Sequence, residues 1–135
     1  MSLLVDTGVI YALADRSDEW HLRVRTYLEE TRELMTAPVT ILPEVAYLLH
    51  TRLGPAAERK FTHSLAMGEV MVEAVTTEDL VRCEELLGKY PAIGLVDASV
   101  VAVAERLGLV TLATTDRRDF TLVRPKHVEQ FRLVP

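Results

Sequence analysis

Two rhythms of apolar residues alternate along this chain. Leu3–Val5 is a short continuous apolar run ending at Asp6, Glu33–Ala37 is a second strand that mixes apolar residues with Glu33 and Thr36, and Val70–Val75 and Leu109–Ala113 are rich in branched residues. Runs of this length and type suit strands buried on both faces. Between them apolar positions recur at three- and four-residue steps, the period of a half-buried helix. Val9–Ala14 reads as a short helix after a Thr7-Gly8 turn. Ser17 and Asp18 stand as N-cap residues for a second helix with Trp20, Val24, Tyr27 and Leu28 on its apolar side. Thr40 is placed to cap a third, in which Pro43 and Glu44 fall in the first turn, where a proline loses no hydrogen bond. Its buried stripe is Val45, Leu48, Leu49 and Leu53; Gly54-Pro55 ends it, and Pro55 opens another helix carrying Phe61 and Leu65. Thr77, Glu78 and Asp79 begin a helix to Gly88. After the Pro91 turn, Val96, Val100, Val103, Ala104 and Leu107 mark one more, stopped by Gly108. Beyond Asp116 a loop holding Asp119 and Phe120 leads to a last strand over Phe131–Val134.

Strands alternating with helices predict a single α/β domain over residues 1–135, with a central, largely parallel sheet flanked by helices. In such sheets ligands bind beyond the carboxyl ends of the strands. Asp6 ends the first strand, and Glu44 begins a helix that follows the second. Asp97 begins a helix that runs back to a strand, and Asp116 follows the end of that strand. Element order alone brings all four acids to one edge.

Composition narrows the class without naming a chemistry. With 49% hydrophobic and 26% charged residues, the 135-residue chain fits an ordinary folded domain. No apolar run approaches the roughly 18 residues of a membrane span. The N-terminus enters strand-like sequence without a charged, cleavable leader, so the expectation is a cytoplasmic protein. The one cysteine, Cys83, lies among Leu80, Leu86 and Leu87 at helical spacing and reads as core. A net charge of −5 argues against a generally basic nucleic-acid binder. If the four acids hold metal, however, the remainder is close to neutral. Four of the ten residues from Arg117 to Lys126 are basic. That segment is either a solvated loop or a local patch able to hold a phosphate backbone, with Arg117 and Arg118 as its candidates.

Each acid has an ordinary explanation taken singly. Asp97 and Glu44 suit the positive end of a helix, Asp6 and Asp116 suit turns, and Asp119 offsets Arg117 and Arg118. Together they repel one another, and a hard divalent cation relieves that conflict. Mg²⁺ or Mn²⁺, as one or two ions, prefers such oxygen ligands and can serve phosphoryl chemistry. The chain has no G-x-S-x-G, no phosphate-cradling glycine loop and no G-x-G-x-x-G, and its four histidines show no i, i+4 pair suited to zinc.

The stretches LLVDTGVIYAL, PEVAYLL, GLVDASVVAVAERLG and LATTDRRDF together resemble the PIN-domain family, most closely its VapC-like toxin branch. The resemblance implies a three-layer fold and a metal-dependent endoribonuclease, the toxin of a type II toxin–antitoxin pair. It also implies a small antitoxin partner and a homodimer. It carries the family's acidic positions onto Asp6, Glu44, Asp97 and Asp116, with Asp119 as an additional candidate ligand. The accompanying hydroxyl falls at Thr114 or Thr115. Trp20 and Tyr27 are read either as core or as lining for the antitoxin's groove. Two other classes remain open: a PIN-like RNA-binding or RNA-processing module with little catalysis, and a response-regulator-like domain. The second should carry paired acids near its start and a lysine after a late strand; the chain has Asp6 alone and Asp116-Arg117.

Overall fold

The strands β1 (Ser2–Val5), β2 (Leu34–Pro38), β3 (Met71–Glu73), β4 (Thr111–Ala113) and β5 (Arg132–Val134) form one all-parallel sheet in the order β3-β2-β1-β4-β5. The computed structural model describes residues 2–135. Its helices are α1 (Thr7–Ala14), α2 (His21–Glu30), α3 (Leu42–Leu53), α4 (Pro55–Ala66), α5 (Thr77–Lys89), α6 (Leu95–Leu107) and α7 (Arg117–Leu122), with a 3₁₀ turn over Val39–Ile41 before α3. The chain runs outward from β1 to β3, then crosses back over to β4 on the other side of β1. With right-handed crossovers, that reversal puts α1–α4 on one face of the sheet and α5–α6 on the other. The packing agrees: α1 touches α2 and α3, α3 touches α4, and α5 lies along α6. The result is the expected three-layer α/β arrangement.

The core is centred on Leu3, Leu4, Val5 and Leu112 in the sheet and on α6, where Ala98 and every residue from Ser99 to Ala104 are buried. A single stripe on α6 therefore understates its burial, because the helix is enclosed by the sheet, α5 and the 3₁₀ turn. Gly108 ends α6 in the left-handed conformation (φ 69°), and Leu109 N–H bonds back to Ala104 O at 2.9 Å. Cys83 is buried as expected. No helix among the described residues is long and apolar enough to cross a membrane.

Several boundaries differ from the sequence reading. Helix α2 begins at His21, not after Ser17 or Asp18. Asp18 Oδ1 accepts from Trp20 N–H at 2.8 Å and Asp15 Oδ1 from Ser17 N–H at 2.9 Å, so these residues build turns before the helix. Thr40 sits within the 3₁₀ turn and caps nothing. Thr76, one residue earlier than expected, caps α5 in a reciprocal box with Asp79. Strands β3 and β4 are shorter than their apolar runs, and residues 117–122, expected as loop, form α7.

Charged pairs fasten α6 to its neighbours. Arg106 Nε meets both Asp79 carboxylate oxygens at 3.1 Å, Nη1 meets Glu73 Oε1 at 2.9 Å, and Nη2 donates to Ala74 O at 3.0 Å. Burial alone would raise the Asp79 carboxyl, but Arg106 and the cap hydrogen bonds bring it below its usual value. Arg106→Gln leaves that nearly inaccessible carboxylate without its cation. The expected cost is about 2–3 kcal/mol, read as a lower urea midpoint at pH 7.

Candidate metal and phosphodiester site

The register of β1 against β4 pairs Leu4 with Leu112 and Val5 with Ala113. Asp6 and Thr114 therefore leave the sheet side by side, at the point where the chain's outward path from β1 gives way to the strands on its other side. In α/β folds this is the position where ligands bind. Asp6 is buried and caps α1: its Oδ1 accepts from Thr7 N–H at 2.7 Å, and its Oδ2 from Thr114 Oγ1 at 3.2 Å. Thr114 is itself fully buried and accepts from Asp116 N–H at 2.9 Å. One hydroxyl thus ties the first acid to the last.

Asp116 caps α7, with Asp119 N–H donating to its Oδ1 at 3.3 Å. A helical turn opened by an aspartate places the residue three positions on against the cap. Accordingly Asp119 joins Asp116 and Asp97, each offering an oxygen within 4.8 Å of the others. Asp97 arrives from the opposite side, in the first turn of α6. Glu44, exposed in the first turn of α3, stands near enough for its charge to raise both Asp6 and Asp97.

The electrostatics record the crowding. Asp97 is pushed up to about 7, first by burial and then by the charges of Asp6, Asp116, Asp119 and Glu44. Asp6 rises to about 6 through burial, against the Thr7 and Thr114 hydrogen bonds, with further lift from Glu44 and Asp116. Asp116 is raised by burial and Asp119, while the Arg118 charge opposes the rise. Such clustering of raised acids is typical of functional sites. The donor set fits a hard divalent cation: the tight group is all carboxylate oxygen, and no His or Cys among the described residues joins it. Three histidines are occupied elsewhere, His21 with Ala12 O, His50 with Glu58 and His127 with Leu109 O.

Thus the structure brings Asp97, Asp116 and Asp119 into one tight cluster, sets Asp6 beside it through Thr114, and keeps Glu44 at its open edge. Of the two threonines, Thr114 carries the hydrogen bonds to the acids. Thr115 instead packs on Gly8, where a Cβ would lie 2.1 Å from its Oγ1; that close approach lets the α1 and α7 ends meet. The two arginines diverge, Arg118 acting on Asp116 and Arg117 lying toward Trp20.

A second tie has no counterpart in the sequence pattern. Thr40 Oγ1 and the buried Ser99 Oγ are 2.6 Å apart, and Ser99 Oγ donates to Val96 O at 2.6 Å. The pair clips the turn before Glu44 to the helix turn after Asp97, and only the two-residue offset from Asp97 hints at it. Thr40→Val should cost about 1 kcal/mol of stability and weaken Mg²⁺ binding several-fold, as read by calorimetric titration.

Of the two readings open for Trp20 and Tyr27, the structure shows core packing. Both pack half-buried on the core, whereas an apolar groove of about 450 Å³ runs between α1, α2 and α4 over Ile10, Leu13, Leu49 and Phe61, rimmed by Arg16, Arg25 and Lys60. A shallow hollow along α5 and α6 is lined by Asp79, Arg82, Glu105 and Arg106, charges already paired with one another.

A parallel α/β domain with clustered carboxylates at its topological switch point has the donor set to hold a divalent cation. Residues 3–124 match the PIN domain family, and the chain belongs to that family. It is similar to a protein named Ribonuclease VapC26 from Mycobacterium tuberculosis (strain ATCC 25618 / H37Rv), with 27% identity covering 98% of this chain and all of that one. Its fold is also similar to that of Mycobacterium tuberculosis VapC20, described as a sarcin-ricin loop cleaving toxin (TM-score 0.81, 24% identity, 87% of this chain and 92% of that chain). A toxin–antitoxin complex from Klebsiella pneumoniae contains a similar chain (TM-score 0.72, 19% identity, 99% and 97% covered).

Proposed function

We propose that this protein is a divalent-metal-dependent endoribonuclease, the toxin of a type II toxin–antitoxin pair, acting in the cytoplasm as one PIN unit over residues 1–135. The observation that carries the reading is the Asp97–Asp116–Asp119 cluster joined to Asp6 through Thr114. The names of the similar proteins, a ribonuclease and a sarcin-ricin loop cleaving toxin, support RNA as the polymer. Mg²⁺ or Mn²⁺, as one or two ions held by Asp97, Asp116 and Asp119 with Glu44 and Asp6 around them, would activate water and neutralise phosphoryl charge. The chain's own residues do the rest. Thr7 N–H and Thr114 Oγ1 fix the Asp6 carboxylate in one orientation. Asp6 or Asp97, as the carboxylate, would take the proton of the water that attacks phosphorus in line. Arg118, whose charge acts on Asp116, would hold a phosphate oxygen of the strand.

The same reading gives the apolar groove between α1, α2 and α4 to a small antitoxin. Its basic rim suits an amphipathic segment carrying acids on its exposed side. A homodimer completes the proposed assembly. The deciding experiment incubates purified protein with a structured RNA pool in Mg²⁺ or Mn²⁺, with and without EDTA. Internal cleavage abolished by EDTA is the expected result. RNA binding without cleavage, by folded protein free of any co-purified partner, would favour a binding module instead.

A further inference from the structure

Trp20 is the only tryptophan of the chain, and it is flanked by two arginines from different elements. The Arg23 guanidinium carbon lies 3.8 Å from its ring centroid and that of Arg117 5.7 Å. Arg23 is on the first turn of α2, and Arg117 opens α7 directly after Asp116. Both arginines are exposed while the indole is half-buried, and neither pairs with an Asp or Glu side chain among the described residues. Arg117 donates to Pro135 O through Nη2 alone, one of its five N–H donors.

A chain of net charge −5 that holds two exposed guanidiniums against an indole, one of them directly after Asp116, and off its Asp and Glu side chains is not minimising repulsion. Pairing with nearby acids would do that, as it does for Arg82 and Arg106. A guanidinium stacked on an aromatic face keeps its N–H fork directed outward, the geometry that grips a phosphate with two hydrogen bonds. The acid cluster also repels RNA, so the strand needs cationic attachment beside it. We propose that Arg23 and Arg117, oriented by Trp20, form a phosphate clamp that seats single-stranded RNA next to the carboxylate site. This rests on the ribonuclease reading and adds to it a second contact, separate from the phosphodiester held at the acids. Arg23 and Arg117 touch the strand; Trp20 is a positioning residue.

The test uses Asp97→Asn protein in Mg²⁺ with a 5′-labelled single-stranded RNA decamer of mixed sequence, checked for integrity on a gel. Anisotropy gives affinity, and Trp20 emission reports the clamp directly. Expected are saturable quenching of Trp20 and roughly tenfold weaker binding for Arg23→Gln and for Arg117→Gln. Each should flatten the salt dependence of log K by about 0.7 for every phosphate that is no longer held. Trp20→Phe, which retains a packed ring, should weaken binding less than either arginine change and should reduce the energetic coupling between Arg23 and Arg117 in a double-mutant cycle. Unchanged affinity and salt slope in both arginine variants would overturn the clamp. A lowered Tm alongside that result would assign the stack to fastening α2 against α7. If the parent protein neither binds the decamer nor cuts RNA in its wild-type form, the ribonuclease reading fails; if only the clamp variants are indifferent, that reading stands and the clamp does not.

Discussion

Asp97→Asn is expected to fold, to lose at least about 10³-fold in RNA cleavage, and to be more stable than the parent in metal-free buffer at pH 8. The two effects have one origin. Asp97 stands where the fields of Asp6, Asp116, Asp119 and Glu44 add, so its charge is costly without a cation and useful with one. Asparagine keeps the shape and one oxygen, and α6 is fixed by a wholly buried face over Ser99–Ala104 that the change does not touch. Removing the charge relieves its repulsion with four neighbours, hence the higher Tm without metal. It also removes an anionic ligand and a proton acceptor, hence the lost turnover. Circular dichroism, a thermal melt in EDTA and single-turnover cleavage in Mg²⁺ read the three outcomes. Full activity in a folded variant would sink the assignment of Asp97, whatever the family.

Much of this site follows from element order. Asp6, Glu44, Asp97 and Asp116 lie at element ends whose placement a parallel sheet dictates, and no side-chain detail is needed to bring them to one edge. Asp119 shows where that logic stops. Its place in the cluster depends on residues 117–122 forming α7, and a short segment with two arginines and few apolar residues reads as a solvated loop. The usable signal is Asp116 itself, an aspartate three residues before another acid, the spacing of a capping pair. The Thr40–Ser99 tie and the Trp20 stack are illegible for a different reason. Each joins residues from separate elements, through side-chain placements that local periodicity does not encode. The start of α2 is misplaced because Ser17 and Asp18, good cap residues in isolation, bond within their own turns. Local hydrogen bonding outweighs helix capping there.

Metal and pH should act on stability in opposite directions, and their combination locates the ion without any cleavage assay. Asp6 and Asp97 are raised from 3.8 to about 6 and about 7. Between those values the folded chain holds protons that the unfolded chain has released, so the unfolding free energy falls as pH rises. In EDTA the Tm should therefore decline from pH 5 towards pH 7.5 and level off above. Mg²⁺ or Mn²⁺ reverses that trend, because the carboxylates must lose their protons to bind it. At pH 8 a cation at 100 times its dissociation constant adds about 2.7 kcal/mol, a rise of several degrees for a domain of this size. At pH 5 protons compete for the same oxygens and the rise should largely vanish. Asp97→Asn should lose most of the pH 8 increment, whereas Arg106→Gln, remote from the acids, should keep it from a lower starting Tm. Equal metal-induced shifts at pH 5 and pH 8, or an undiminished shift in Asp97→Asn, would place the cation somewhere other than the switch point of the sheet.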